Sequence, residues 1–395
     1  MQHTDNPRAN WSAVLALTLC VSTLIASEFM PVSLLTPIAT DLHMTEGAAG
    51  QAIAMSGLFA VLTSLGIARL SAGIDRRHLL LGLTLVMLVS GVMVALAPNY
   101  AVFMLGRALV GVVIGGFWSM SVATVMRLVP PADVPRGLAI LNGGNAMATT
   151  IAAPLGSFLG QFIGWRWAFF MVVPLAALTF AWKWLALPSM PPARNAQAPN
   201  TLGLLARADV RRGMAAVALL FAGQFAVFTY LRPFLEQQTH VGVSLLSLML
   251  LGMGLAGVAG NTLVGRVVSI SLPGTLIAAP LALAAIATAL VMLGTAPLPV
   301  GVLLMVWGMI GTALPVAWWT WLARALPDQA EAGGGLMVAV IQLAITLGAA
   351  GGGILFDTIG FGAAFLGGAA LLIGSALLSA ADARRPSRLS ERSNA

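Results

Sequence analysis

Charged residues make up only 8% of this 395-residue chain, against 59% hydrophobic residues and a mean hydropathy of +0.93. A soluble domain of this size needs a charged shell, so the shortage excludes one and leaves a polytopic membrane protein. Cys20 is the single cysteine, which rules out an intrachain disulfide. The four histidines (His3, His43, His78 and His240) fall in tails and loops, and no carboxylate pair or nucleophile–base set shares a helix face. No enzyme activity, metal or cofactor is therefore expected. The glycine run at Gly333 has no P-loop Lys or Ser/Thr, which argues against nucleotide hydrolysis. Net charge is +7, but no basic patch is interleaved with aromatics, so nucleic acid is not an expected partner.

What is present is a succession of hydrophobic segments, at about 12–37, 47–72, 78–97, 101–128, 137–163, 167–187, 213–236, 244–268, 273–295, 299–324, 333–356 and 361–381. The first follows Arg8 and is too long for a signal peptide, so it is expected to be retained. With both termini placed inside, all of the 20 Lys and Arg residues fall on the cytoplasmic side except Arg107, Arg166 and Arg232. The bias of basic residues toward cytoplasmic loops then predicts cytoplasmic N- and C-termini. Residues 188–212, rich in Pro, Ala, Asn and Arg, read as a cytoplasmic linker. They separate a six-helix half at 1–187 from a second at 213–383, with a basic tail at 384–395. An offset of 196 residues carries Glu28-Phe29 onto Gln224-Phe225, Pro37 onto Pro233, Gly115 onto Gly311, Pro131 onto Pro327 and Gly156 onto Gly352. The chain thus reads as an all-α membrane protein of twelve transmembrane helices in two pseudo-symmetric halves.

Glu28 is the feature that most needs explaining, because a carboxylate deep in an apolar run is costly and requires a partner. Counting 1.5 Å per residue puts Glu28 about 24 Å and Arg107 about 28 Å from the inner ends of their segments, so the two are expected to meet. Burial disfavours the ionised carboxyl and a guanidinium favours it, so a Glu balanced between them can take up and release a proton. A static buried pair that only fixes helix packing is the alternative.

The motifs carry a resemblance. ARLSAGIDRRHLL from Ala68 is similar to the loop between helices 2 and 3 of the major facilitator superfamily, although Ser71 stands where a glycine is usual. GRALVGVVIGG, with Arg107, resembles the helix-4 motif associated with proton coupling, and APLGSFLGQFIGWR from Ala153 resembles the antiporter motif of helix 5. Together they look like the drug:proton antiporter branch. NWSAV at Asn10, EFMPVSLLTP at Glu28, GGFWSM at Gly115, FAGQFAVFTYLRP at Phe221 and DQAEAGG at Asp328 are similar more narrowly to purine ribonucleoside efflux pumps.

The resemblance implies a monomeric carrier of the bacterial inner membrane that exports nucleosides such as inosine, guanosine and adenosine in exchange for protons. It implies a conformational latch at Asp75, Arg76 and Arg77, and a helix-5 role for Pro154 and Gly156. A nucleoside needs aromatic faces and hydrogen-bonding side chains. Gln224, Phe225, Phe228, Trp118, Asn145, Gln342 and Trp319 are the expected contacts, with Asn142, Ser119, Thr229 and Tyr230 nearby in sequence. An exporter of sugars or drugs, and a membrane sensor that moves nothing, are the competing readings.

Overall fold

The computed structural model describes residues 9–70, 73–191, 202–326 and 329–383. Arg8, Ser71, residues 192–201 of the linker, Pro327, Asp328 and the tail 384–395 lie outside the described residues. Everything described folds as helix or short connection, as expected where lipid offers the backbone no hydrogen bonds. The long helices are α1 (Trp11–Asp41), α2 (Glu46–Leu70), α3 (Arg76–Ala95), α4 (Tyr100–Leu128), α5 (Val134–Phe170) and α6 (Val172–Ala186). Next comes α7 (Ala208–Phe228), which begins inside the 188–212 span read as linker, then the short α8 (Leu231–Gln237), α9 (Val243–Ile270), α10 (Leu272–Leu293), α11 (Pro297–Ala325), α12 (Ala330–Thr358) and α13 (Phe361–Ala383). Side chains start several of them. Asn10, Asp75, Asn99 and Ser271 each accept a hydrogen bond from a backbone N–H of the first turn.

Two departures from the expected segments have identifiable causes. Eleven stretches among the described residues are long and apolar enough to span, but one of them, Arg136–Ala186, is 51 residues long. At 1.5 Å per residue that is about 76 Å, more than twice a hydrocarbon core. Gly164, at φ +79°, breaks it into two spans, making twelve. The seventh segment, expected to run unbroken over 213–236, divides into α7 and α8 around Thr229 and Tyr230. Pro233 has no N–H for the carbonyl of Thr229, four residues earlier, and its ring crowds that carbonyl.

The chain forms two compact units. One comes from Met1–Ala198 together with Tyr230–Leu251, the other from Pro199–Thr229 together with Gly252–Ala395. The segment Tyr230–Leu251, which the sequence assigns to the second half, therefore packs with the first. In the first unit Gly111 and Gly115 bring α4 onto the backbone of α2 at Ser56 and Ala60, where any Cβ would overlap a carbonyl. Gly144, Gly156 and Gly160 let α5 approach α1, where a Cβ would crowd the side chains of Thr18, Ser33 and Leu34. In the second unit Gly348 brings α12 onto Ala222 of α7. Further along α12, a Cβ at Gly351 would meet open space, whereas Gly352 and Gly353 are buried.

Candidate functional site

Helix α1 supplies the central geometry of the first unit, and its two prolines explain much of it. A proline leaves the carbonyl four residues before it without its helical donor. Pro31 thereby frees the carbonyl of Ser27, and Pro37 that of Ser33. Both carbonyls are taken by arginines. Arg107, fully buried, donates from Nη1 to Ser27 O at 2.7 Å and from Nη2 to Glu28 O at 3.1 Å. It also donates from Nε to Ala52 O at 3.2 Å and from Nη2 to Ser56 Oγ at 3.2 Å. Arg232 of α8, 4% exposed, donates from Nη1 to Ser33 O.

Glu28 is 3% exposed and engaged within the fold, and its charge acts on the Arg107 guanidinium. The guanidinium is thus held by α1 and α2 through four hydrogen bonds, none of them to a side-chain carboxylate. The pair Arg232–Glu236 forms at 2.8 Å. An i,i+4 pair at a helix end is ordinarily solvated, but the Arg232 side chain is buried against α1.

Lys183 is a residue that charge counting misplaces. It is tallied with the cytoplasmic-side charges, yet its side chain is fully buried. Its Nζ donates to Cys20 Sγ at 2.8 Å and to Thr84 Oγ1 at 3.0 Å, and lies 5.2 Å from the Phe117 ring centroid. A long stem lets a lysine near a helix end reach into the bundle, which loop tallies cannot detect.

At the α2–α3 connection, Asp75 does more than cap α3. Its carboxylate accepts from Arg77 N at 2.8 Å, from the Ser189 hydroxyl and from Met190 N, which ties the start of the linker to this loop. Arg76 N donates to Met190 O, Arg77 Nη2 to Trp184 O, and Arg127 Nη1 to Pro191 O. Partial burial works against the Asp75 charge, but the bonds from Ser189, Met190 and Arg77 outweigh it and hold the carboxyl below its ordinary range.

In the second unit the expected contacts are neutral. Gln224 of α7 sits against Gly311 of α11, where a Cβ would overlap its Nε2, and the Trp307 Nε1 lies beside the same point. Gln224 Oε1 is buried without a hydrogen-bond partner, as are Gln342 Oε1, Thr229 Oγ1 and Trp318 Nε1. Phe225 and Phe228 pack edge to face at 5.7 Å. Trp318 is 2% exposed whereas Trp319 is 42% exposed. In the first unit Trp118 packs partly buried beside Phe117, Asn145 is half-buried on α5, and Asn142 is exposed. Pro154 is buried, and Gly156 lies against Met30 and Ser33 of α1. No group of three metal-ligating side chains occurs among the described residues.

Residues 15–349 match the Major Facilitator Superfamily. The chain belongs to that superfamily. It is 55% identical over 386 residues, 96% of each chain, to the Transcription regulatory protein OpdE of Pseudomonas aeruginosa. It is 42% identical over 371 residues, 94% of each chain, to the Purine ribonucleoside efflux pump NepI of Escherichia coli K12. Among solved structures, the D-xylose–proton symporter superposes with a TM-score of 0.73 at 16% identity, covering 93% of this chain and 97% of that one. The bacterial homologue of the human lysosomal transporter Spinster gives 0.68, also at 16% identity, over 95% of each chain. The chain is a multi-pass membrane protein of a transporter superfamily.

Proposed function

We propose that this superfamily member exports purine ribonucleosides of the inosine, guanosine and adenosine type by exchange with protons, with Glu28 as the proton carrier. The observation that supports the reading most is the setting of Glu28. Arg107 keeps four hydrogen bonds that do not depend on the Glu28 carboxylate. Neutralising the acid therefore does not orphan the guanidinium, and a proton can come and go without dismantling the cluster. The 42% identity to a purine ribonucleoside efflux pump supports the substrate class. The unpartnered acceptor oxygens of Gln224 and Gln342 supply what a base or ribose donor needs, with Phe225 and Phe228 as ring faces. Trp118 and Asn145 of the first unit, and Trp319 of the second, are assigned as further substrate contacts. Asp75, Arg76 and Arg77 serve as the latch, with Pro154 and Gly156 setting the α1–α5 approach.

Counterflow of labelled inosine in proteoliposomes tests the substrate. Glu28→Gln should retain counterflow and lose proton-driven transport, and unchanged coupling in that variant rejects the carrier role. Competition by arabinose or chloramphenicol instead of inosine would move the assignment to sugar or drug export. The 55% identity to a protein named for transcriptional regulation favours one further reading, a sensor that binds without moving substrate. Binding of inosine without counterflow would support that reading.

A further inference from the structure

We infer that Arg232 is a releasable tie between α8 and α1, built on the carbonyl that Pro37 frees. The short helix α8 follows α7 directly in sequence, yet the chain passes from the second unit to the first between Thr229 and Tyr230, at the break that Pro233 imposes. Among the contacts that seat it in the first unit are these. Arg232 Nη1 donates to Ser33 O, the Tyr230 ring fills the space over Gly50 of α2, and Gln237 Nε2 donates to Glu46 Oε1 at 3.0 Å.

The chemistry of the arginine contact suits repeated making and breaking. Ser33 O has no helical donor to lose, because Pro37 lacks the N–H that would have reached it. Releasing Arg232 therefore leaves the remaining α1 hydrogen bonds in place. The charge is not stranded on release either. Glu236, four residues on and in the same helix, holds Arg232 through Nε at 2.9 Å and Nη2 at 2.8 Å, so the ion pair travels as one neutral unit. An arginine bonded only to a carbonyl would carry an uncompensated charge with it, and a carbonyl already in the helical ladder would hold it less firmly. Arg232 is thus a positioning residue for the transport cycle, with Pro37 as its partner. The inference rests on the transporter reading, but not on the choice of substrate or on proton coupling.

The test is a double-mutant cycle read by accessibility, without substrate, in full-length protein in lipid. In a Cys20→Ser background, Leu235→Cys places a thiol on the buried face of α8, and a bulky membrane-impermeant maleimide reports how often α8 leaves α1. Leu283→Cys, buried in α10, is the control for general loosening. Arg232→Gln should raise labelling at position 235 about tenfold, the loss of one charge-assisted hydrogen bond, with the control unchanged. Arg232→Lys, which keeps the charge, should give a smaller rise and guards against a misfolded Gln variant. In the Pro37→Ala background the carbonyl regains a helical donor, so Arg232→Gln should add less than about twofold. Equal factors in the two backgrounds, unchanged labelling in Arg232→Gln, or a matching rise at the control position would each overturn the inference. Because no nucleoside enters the assay, failure of the substrate assignment would show separately, in counterflow.

Discussion

The middle of the first unit buries charged groups, whereas the middle of the second buries neutral ones. Around α1 and α4 the fold buries Glu28, Arg107 and Lys183, and the two cations find acceptors in backbone carbonyls, Ser56, Cys20 and Thr84. Around α7, α11 and α12 it buries amides, a hydroxyl and an indole, and leaves Gln224 Oε1, Gln342 Oε1, Thr229 Oγ1 and Trp318 Nε1 without partners. The difference follows from magnitudes. An unpaired charge in a low-dielectric interior costs several kcal/mol, while an unsatisfied amide oxygen costs about 1–3 kcal/mol. A protein can leave the second kind of group open for a ligand, but not the first. Glu28 and Gln224, which an offset of 196 residues brings into register, mark the two solutions.

The largest test of this contrast is Arg107→Met. It strips the donor from Ser27 O, Glu28 O, Ala52 O and Ser56 Oγ and leaves Glu28 without its cation. A loss of about 3–5 kcal/mol is expected, read as a large fall in thermal midpoint in detergent. An unchanged midpoint would mean that the first unit does not depend on its buried charges. Gln224→Leu sharpens the other side. Removing an unsatisfied oxygen should leave stability unchanged or raise it by about 1 kcal/mol, while nucleoside binding is lost. A clear drop in stability with binding retained would show that Gln224 is a structural amide.

Gly311→Ala should act through Gln224, because its Cβ would displace Nε2. The expected outcome is a rise in KM of about tenfold, roughly 1.4 kcal/mol, with folding intact, checked by counterflow at varied inosine. The smallest effect concerns Asp75. Its carboxyl sits below the ordinary range, so its hold on Ser189 and Met190 is complete above the unfolded value and is lost as pH falls through the folded one. Protease nicking of the linker should rise below about pH 4. Asp75→Asn should show raised nicking at all pH values and no such transition.

The sequence by itself determined the class, the number of spans and where most of them end. Scarce charge and long apolar runs leave membrane-spanning helices as the backbone solution. It also singled out Glu28, Arg107 and Gln224, since a polar group amid hydrocarbon is conspicuous in one dimension. Other features could be settled only in three dimensions. Pro31 and Pro37 each free a carbonyl of α1, but which side chain takes it depends on a helix 80 residues away for Ser27 and 199 residues away for Ser33. Lys183 reads as a loop charge until its stem is seen to turn inward, and α8 reads as the second half until it is found packed in the first unit. Hydropathy records how apolar each position is along the chain, whereas hydrogen-bond satisfaction depends on which distant atoms the packed helices bring within 3 Å.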